Sequence, residues 1–395
     1  MIRADLNRSA LGVLASIMLG CAALVYAKPP PIADEPIGIV ETLPSTYPPS
    51  WFLVQDAAFF HMGDGKVYVI DTMAETLAEQ VKGTFNVSLI GNLTQSAKRS
   101  EMYVTETFHT RGSRGDRMDF VTIYDQSTLA PKGEVSLPVG KRFMGMPQRY
   151  ALLVLNDDKW LAVANFSPGT SVTLIDLDTR EIIDEIPTLG CVLTYPTGKR
   201  GFSSLCADGR LLSTELAADG SVLTQTRSDV FFDSDDSPIY ERPVVLGDAA
   251  YFPSLAGLVY PVDISGPTAT VGEPWNLVPE AEQAEGWLPA GIGLIDGDDQ
   301  GHFYIIMHPD GHEDTYQGGG PEVWVYDAAE KKRVSRIVLQ TWGLSLAVSR
   351  GDDPLLMVVN PTDMSLEMYK ANSGEFIRTI TDFGQETPLM VQASK

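Results

Sequence analysis

Histidine and cysteine are scarce in this chain, with five and three respectively among 395 residues. The histidines, His61, His109, His302, His308 and His312, leave a metal centre few nitrogen ligands to draw on. Basic residues are outnumbered, 29 Lys+Arg against 52 Asp+Glu, for a net charge of −23. No basic stripe is left to hold a phosphate backbone, which excludes nucleic acid as a partner. Long apolar runs are missing except from Ala10 to Val25. There is no Ser-centred nucleophile elbow and no Walker loop, because Gly318-Gly319-Gly320 runs into Pro321 and not into a helix. The acid pairs Asp157/Asp158, Asp235/Asp236 and Asp352/Asp353 fall where turns are expected, and Asp is favoured there for backbone reasons.

The single apolar run follows Arg3 and Arg8, and Val25-Tyr26-Ala27 offers small residues for cleavage. Residues 1–27 therefore read as a signal peptide cut between Ala27 and Lys28. As a permanent membrane helix the run is short and lacks stop-transfer charges, so no membrane span is expected after cleavage. Cys21 after Leu19-Gly20 is a weak match to a lipoprotein site. Cleavage removes two Arg and one Asp, which takes the net charge to −24. Such a surface either keeps an exported protein soluble or steers a cationic partner. Cleavage also removes Cys21, and the remaining Cys191 and Cys206 read as one disulfide in an oxidising compartment. A loop of that size stabilises by roughly 3 kcal/mol. Residues 28–50 (KPPPIADEPIGIVETLPSTYPPS) hold seven prolines and form an extended arm, either slack or laid across a partner.

From residue 51 onward a short β-rich run recurs seven times. The runs close at Asp71, Asp125, Asp176, Glu215, Asp263, Asp327 and Lys370, with steps of 54, 51, 39, 48, 64 and 43 residues. A mean near fifty is the length of a four-stranded blade, so residues 51–395 read as an all-β, seven-bladed β-propeller of four-stranded antiparallel blades. Alternation within a run, Val67 and Val69 against Tyr68 and Ile70, suggests half-buried strands. Ring closure is expected from Trp51 to Ala58 pairing with the last blade. The longest step contains PEAEQAEGW (Pro279 to Trp287) and HPDGHEDTYQGGGP (His308 to Pro321), insertions that should build a binding surface on one face.

Candidate chemistry within the chain is thin. His308 and His312 flank a Pro-Asp-Gly turn beside Glu313 and Asp314, and a turn does not place both rings on one side. No metal site is expected. Arg111, Arg114 and Arg117 form a basic cluster, suited to self-pairing with nearby acids or to an acidic partner. On its residues alone, the chain is an exported propeller that binds something.

Several stretches resemble the heavy (large) subunit of the quinoprotein amine dehydrogenases, the methylamine and aromatic amine dehydrogenase family. They are RGDRMDFVTIYDQSTL (Arg114 to Leu129), FSPGTSVTLIDLD (Phe166 to Asp178), Cys191 and Cys206 with the Asp208-Gly209 turn, AEGWLPAGIG (Ala284 to Gly293) and Met307 to Asp327. The last of these is closer to the aromatic branch. The resemblance implies a periplasmic α2β2 enzyme in which a small light subunit carries tryptophan tryptophylquinone. That subunit would oxidise primary amines to aldehyde and ammonia and pass electrons to a cupredoxin or cytochrome c. This chain would supply no catalytic residue; it would hold the light subunit and wall the substrate channel. The family's channel aromatic falls on Phe60, with Phe59 beside it as a competitor. The alternative is a stand-alone exported propeller acting as a binding protein.

Overall fold

The computed structural model describes residues 42–58, 65–88 and 90–395. Residues 1–41, with the Ala27/Lys28 junction, and residues 59–64, with Phe59 and Phe60, lie outside the described residues. The unit Thr42–Lys395 contains seven antiparallel sheets, each a blade; in blades 2 to 7 the strands run outward in chain order. Blade 2 is Asn92–Ser96, Glu101–Arg111, Arg114–Asp125 and Pro131–Leu137, and blade 7 is Ser345–Val348, Leu355–Asn360, Ser365–Lys370 and Phe376–Ile380. First strands of six blades line one central channel, through Thr94, Leu152, Pro196, Val245, Asp296 and Gln392, and blade 7 contributes Arg350 from just past its first strand.

All seven sequence runs are the third strands of their blades: Gly65–Asp71, Arg114–Asp125, Ser171–Asp176, Leu211–Leu216, Leu258–Asp263, Gly320–Asp327 and Ser365–Lys370. Their closing aspartates have a shared local cause. Asp125 Oδ1 accepts the N–H groups of Ser127 (2.9 Å) and Thr128 (3.0 Å), and Asp176 Oδ1 those of Asp178 and Thr179 (both 2.8 Å). Asp71, Asp263 and Asp327 cap the same turn through Met73, Ser265 and Glu330. An acid at this position closes the turn into the outer strand.

The half-buried expectation is corrected. Val67 and Val69 pack against Leu93, Met102 and Val104 of blade 2, while Tyr68 and Ile70 pack against Ala347 and Met357 of blade 7. Both sides of the strand are covered because each blade is sandwiched between two others. Seven apolar clusters fill the seven inter-blade spaces in this way, and they are the core.

Closure also differs from expectation. Trp51–Asp56 does not join the last blade; the C-terminal strand Pro388–Ala393 joins the first one, pairing antiparallel with Trp51–Asp56 as Phe52↔Ala393, Leu53↔Gln392 and Val54↔Val391. The end of the proline-rich segment is pinned beside it. Leu43 and Tyr47 are buried among Trp51, Leu53 and Val67, and the Tyr47 hydroxyl donates to Gln126 O (2.6 Å).

Candidate functional site

In an antiparallel blade, the turn between second and third strands and the link to the next blade leave at the same end. At that end this chain is long: the tip of the Glu101–Arg111/Arg114–Asp125 hairpin and segments 138–151, 228–243, 272–294 and 309–319. The two insertions singled out in the sequence, at 279–287 and 308–321, both lie there. They hold one another. Tyr240 Oη donates to Pro289 O (2.7 Å) and Tyr316 O (3.2 Å), Gly311 N to Gly286 O (2.8 Å), and Trp342 Nε1 to Gly318 O (2.6 Å). The triglycine serves this packing: Gly319 has φ +76°, and a Cβ there would lie 2.0 Å from Gly343 O. Outside blade 6, Arg336 lies over Trp287 (4.8 Å) and Trp324 (4.9 Å) and pairs with Glu322 (2.7 Å), and Arg333 pairs with Glu282 (2.6 Å). These stacked cations fasten the 279–287 excursion to the blade.

Near the axis, Ala57, Ile292, Leu389 and Met390 form a small apolar cluster joined by Met146 and Leu344. Trp51–Asp56 ends and Gly65–Asp71 begins at this face, and the Asp56 carboxylate accepts the N–H groups of Gln385 (2.7 Å) and Glu386 (3.1 Å). Phe59 and Phe60 fall between these strands in sequence, outside the described residues.

Two buried charge networks escaped the sequence reading. At the base of the blade 2 hairpin, Arg142 and Asp119, neither with exposed side-chain surface, lie 3.6 Å apart. Arg142 Nε donates to Thr107 Oγ1 (2.7 Å) and Nη1 to Ile90 O (3.2 Å). Asp119 also accepts from Thr107 Oγ1 (2.5 Å), Gly140 N (2.6 Å) and Arg117 Nε (3.0 Å). Burial pushes the Asp119 carboxyl up, but these donors hold it below the usual carboxylate range; burial brings the Arg142 guanidinium down to about 10. In the channel, Asp296 of blade 6 meets Arg149 ahead of blade 3 (3.2 Å) and Arg350 after blade 7 (3.5 Å). Burial raises this carboxyl and the two arginines more than offset it. Neither network is legible in one dimension, since Asp119 stands 23 residues from Arg142 and Asp296 stands 54 or more from Arg350 and Arg149.

Sequence candidates land as follows. Cys191 and Cys206 face each other in register in blade 4 and are bonded; Gly209, at φ +81°, closes the following turn where a Cβ would meet Phe232 O at 2.2 Å. Arg117 of the basic cluster self-pairs with Asp119, whereas Arg111 and Arg114, opposite one another at the hairpin tip, make no ion pair among the described residues. Beside them Phe108 and Met118 are cross-strand partners, 39% and 37% exposed. His308 packs edge-on against Trp342 and burial holds its imidazole below the ordinary value, while His312 opens the 3-10 turn Glu313–Thr315. Among the described residues no group of three His, Cys, Asp or Glu is placed to hold a metal ion. No helix of the described residues is long and apolar enough to cross a membrane.

The fold and this face define a seven-bladed propeller elaborated at one end into a broad, aromatic-rich surface. Its family is the one described as "Methylamine dehydrogenase heavy chain (MADH)", whose sequence pattern matches residues 50–394, and the chain belongs to it. A methylamine dehydrogenase heavy chain from Methylophilus methylotrophus is 26% identical over 391 residues, 97% of this chain and 95% of that one. The heavy chain of the same name from Paracoccus versutus is 24% identical over 355 residues, 89% and 81%. Among solved structures, a functionally unknown protein from Desulfotomaculum acetoxidans DSM 771 superposes with a TM-score of 0.56 at 10% identity, covering 88% of this chain and 100% of that one. That likeness is one of fold alone.

Proposed function

We propose that this chain is the heavy subunit of a periplasmic amine dehydrogenase whose tryptophan tryptophylquinone is carried by a light subunit, the two assembling as an α2β2 heterotetramer. The family match across residues 50–394, which takes in every blade, carries this reading. When present, the quinone supplies the oxidation of a primary amine to aldehyde and ammonia, with electrons leaving to a cupredoxin or a cytochrome c. The tryptophans of this chain suit packing: Trp287 and Trp324 touch at 5.3 Å, donate their Nε1–H groups to Glu285 and Glu322, and lie under Arg336. The work of this chain is to hold the light subunit on the loop-bearing face, wall the amine's path and exclude water from it.

A tagged chain purified from its native cells is expected to bring down one small polypeptide and a visible absorption band that falls when a primary amine is added. The chain produced alone is expected to be colourless and without amine turnover. Turnover by the chain alone would overturn the reading, as would a monomeric, colourless product from native cells.

Phe60, with Phe59 as the competitor, is the proposed aromatic wall of the amine path. A rigid ring selects amines by size, and filling or emptying a pocket of a few methylenes changes selectivity by about tenfold or more. In the assembled enzyme, Phe60→Ala is expected to shift the ratio of kcat/KM for phenylethylamine over methylamine by about that factor, with little change in Tm. Ratios unchanged in both Phe60→Ala and Phe59→Ala would remove the aromatic wall.

A further inference from the structure

Arg242 stands apart from the other enclosed arginines. Arg99, Arg117, Arg142, Arg149, Arg333 and Arg336 each have a carboxylate within 4 Å. Arg180, Arg200 and Arg378, half-buried like Arg242, lack a carboxylate too but donate to the carbonyl oxygens of Lys132, Leu216 and Ala74. Among the described residues Arg242 has neither kind of partner, although Glu241 precedes it in the chain, and its Nε is buried without a hydrogen-bond acceptor. Native folds seldom leave a buried cationic donor unsatisfied, because the lost hydration is not repaid. The backbone that presents it is fixed from four sides: Tyr240 N to Pro253 O (2.8 Å), Tyr240 Oη to Pro289 O (2.7 Å), Tyr195 Oη to Glu241 O (3.0 Å) and Tyr150 Oη to Pro243 O (2.8 Å). The guanidinium is thus held at the side of a cleft on the loop-bearing face. One wall is Ile239 and Leu255, another is Tyr316 and Gln317 from the 309–319 loop, and the rim carries Asp235, Asp236 and Glu313.

We propose that this cleft is a docking pocket for the light subunit, in which Arg242 receives a hydrogen-bond acceptor from that subunit, a carboxylate or a backbone carbonyl. The occupant rests on the heavy-subunit reading above. Three observations favour it over other occupants: the cleft opens on the face where the insertions gather, its tyrosines and arginine are the residue types that anchor protein interfaces, and its unpaired donor is complete only with a partner. The rim acids complement cationic side chains flanking that acceptor. Arg242 is then a site kept costly in the free chain because it is satisfied in the complex.

This gives a signature with opposite signs in the two states. In the purified holo-complex, Arg242→Leu is expected to weaken heavy–light association at least tenfold, read by sedimentation on dilution, and Arg242→Lys to weaken it less. In the isolated heavy chain, Arg242→Leu is expected to leave Tm unchanged or raise it. A purely structural arginine, or one that pairs with Glu241 in solution, would instead lower Tm. Wild-type and Arg242→Leu complexes of equal affinity would overturn the docking pocket and leave the subunit reading standing. A wild-type chain with no light subunit from native cells would overturn both.

Discussion

A chain lacking Pro388–Ala393 is expected to lose cooperative unfolding and to accumulate as aggregate. That strand is the innermost of blade 1, yet it is contributed from more than 300 residues away, and it supplies Leu389, Met390 and Val391 to buried clusters. At about 1.5–3 kcal/mol for each buried side chain, these three alone contribute about 5–9 kcal/mol. A whole domain is stable by about 5–15 kcal/mol, so little remains. The loss is also topological: without the strand, Trp51–Asp56 loses its inner neighbour and blade 1 presents a bare inner edge to the channel. The milder Met390→Ala should keep a single urea transition and cost about 2–5 kcal/mol. A synthetic peptide spanning the strand, added during refolding of the deletion, should restore part of the transition. A deletion variant with an unchanged urea midpoint would show that the ring is not closed by this pairing.

That strand also marks where the sequence stopped being readable. The third strands announced themselves because they are buried on both sides and five of the seven end in an aspartate that caps a turn, so Val-Trp-Val-Tyr-Asp at Val323 to Asp327 carries signal at every position. Outer strands carry almost none: Val222–Arg227 is exposed throughout and shows no alternation that burial would impose. First strands are short, as in Val244–Leu246, and read as loop. Pro388–Ala393 looks like a tail because its partner is at the other end of the chain. Expecting Trp51–Ala58 on the last blade identified the right neighbourhood and assigned the odd strand to the wrong terminus. The face of the candidate site could be foreseen, since the excess residues of the long sixth step must leave a blade somewhere. Its chemistry could not be foreseen. Arg242 has no motif around it, and its meaning comes from what is missing beside it in three dimensions.

The second large effect concerns Asp119, the final residue of the Arg-Gly-Asp-Arg-Met-Asp stretch that resembled a family signature. Its arginines read as a basic cluster suited to self-pairing or to an acidic partner; Asp119 is the buried end of the stretch, and it pairs with the enclosed Arg142. Removing one member of a buried ion pair strands the other, at a cost of about 3–5 kcal/mol. The two members are not equivalent. Arg142→Met leaves Asp119 with Arg117, Thr107 Oγ1 and Gly140 N, so its cost should fall at the low end. Asp119→Leu removes the carboxylate 3.6 Å from the fully buried Arg142 guanidinium, whose Nε donates to the neutral Thr107 hydroxyl, so its cost should fall at the high end. The double variant Asp119→Leu/Arg142→Met should recover a good part of the loss. Thermal and urea unfolding of the four proteins closes the cycle, and additive single effects would dissolve the pair. The acid limb of the stability profile gives an independent check of sign. The folded carboxyl is held below its unfolded value of about 3.9, so its contribution is complete above that pH and disappears as pH falls through the lower folded value. Asp119→Asn should therefore flatten stability against pH below about 4 relative to wild type. The consequence reaches the candidate site because Arg142 lies in the 138–151 segment whose Met146 packs with Ala57, Ile292 and Met390 near the axis. Weakening the pair loosens that wall, and in the assembled enzyme Asp119→Asn should lower kcat/KM for every amine together, without the change of selectivity expected of Phe60→Ala.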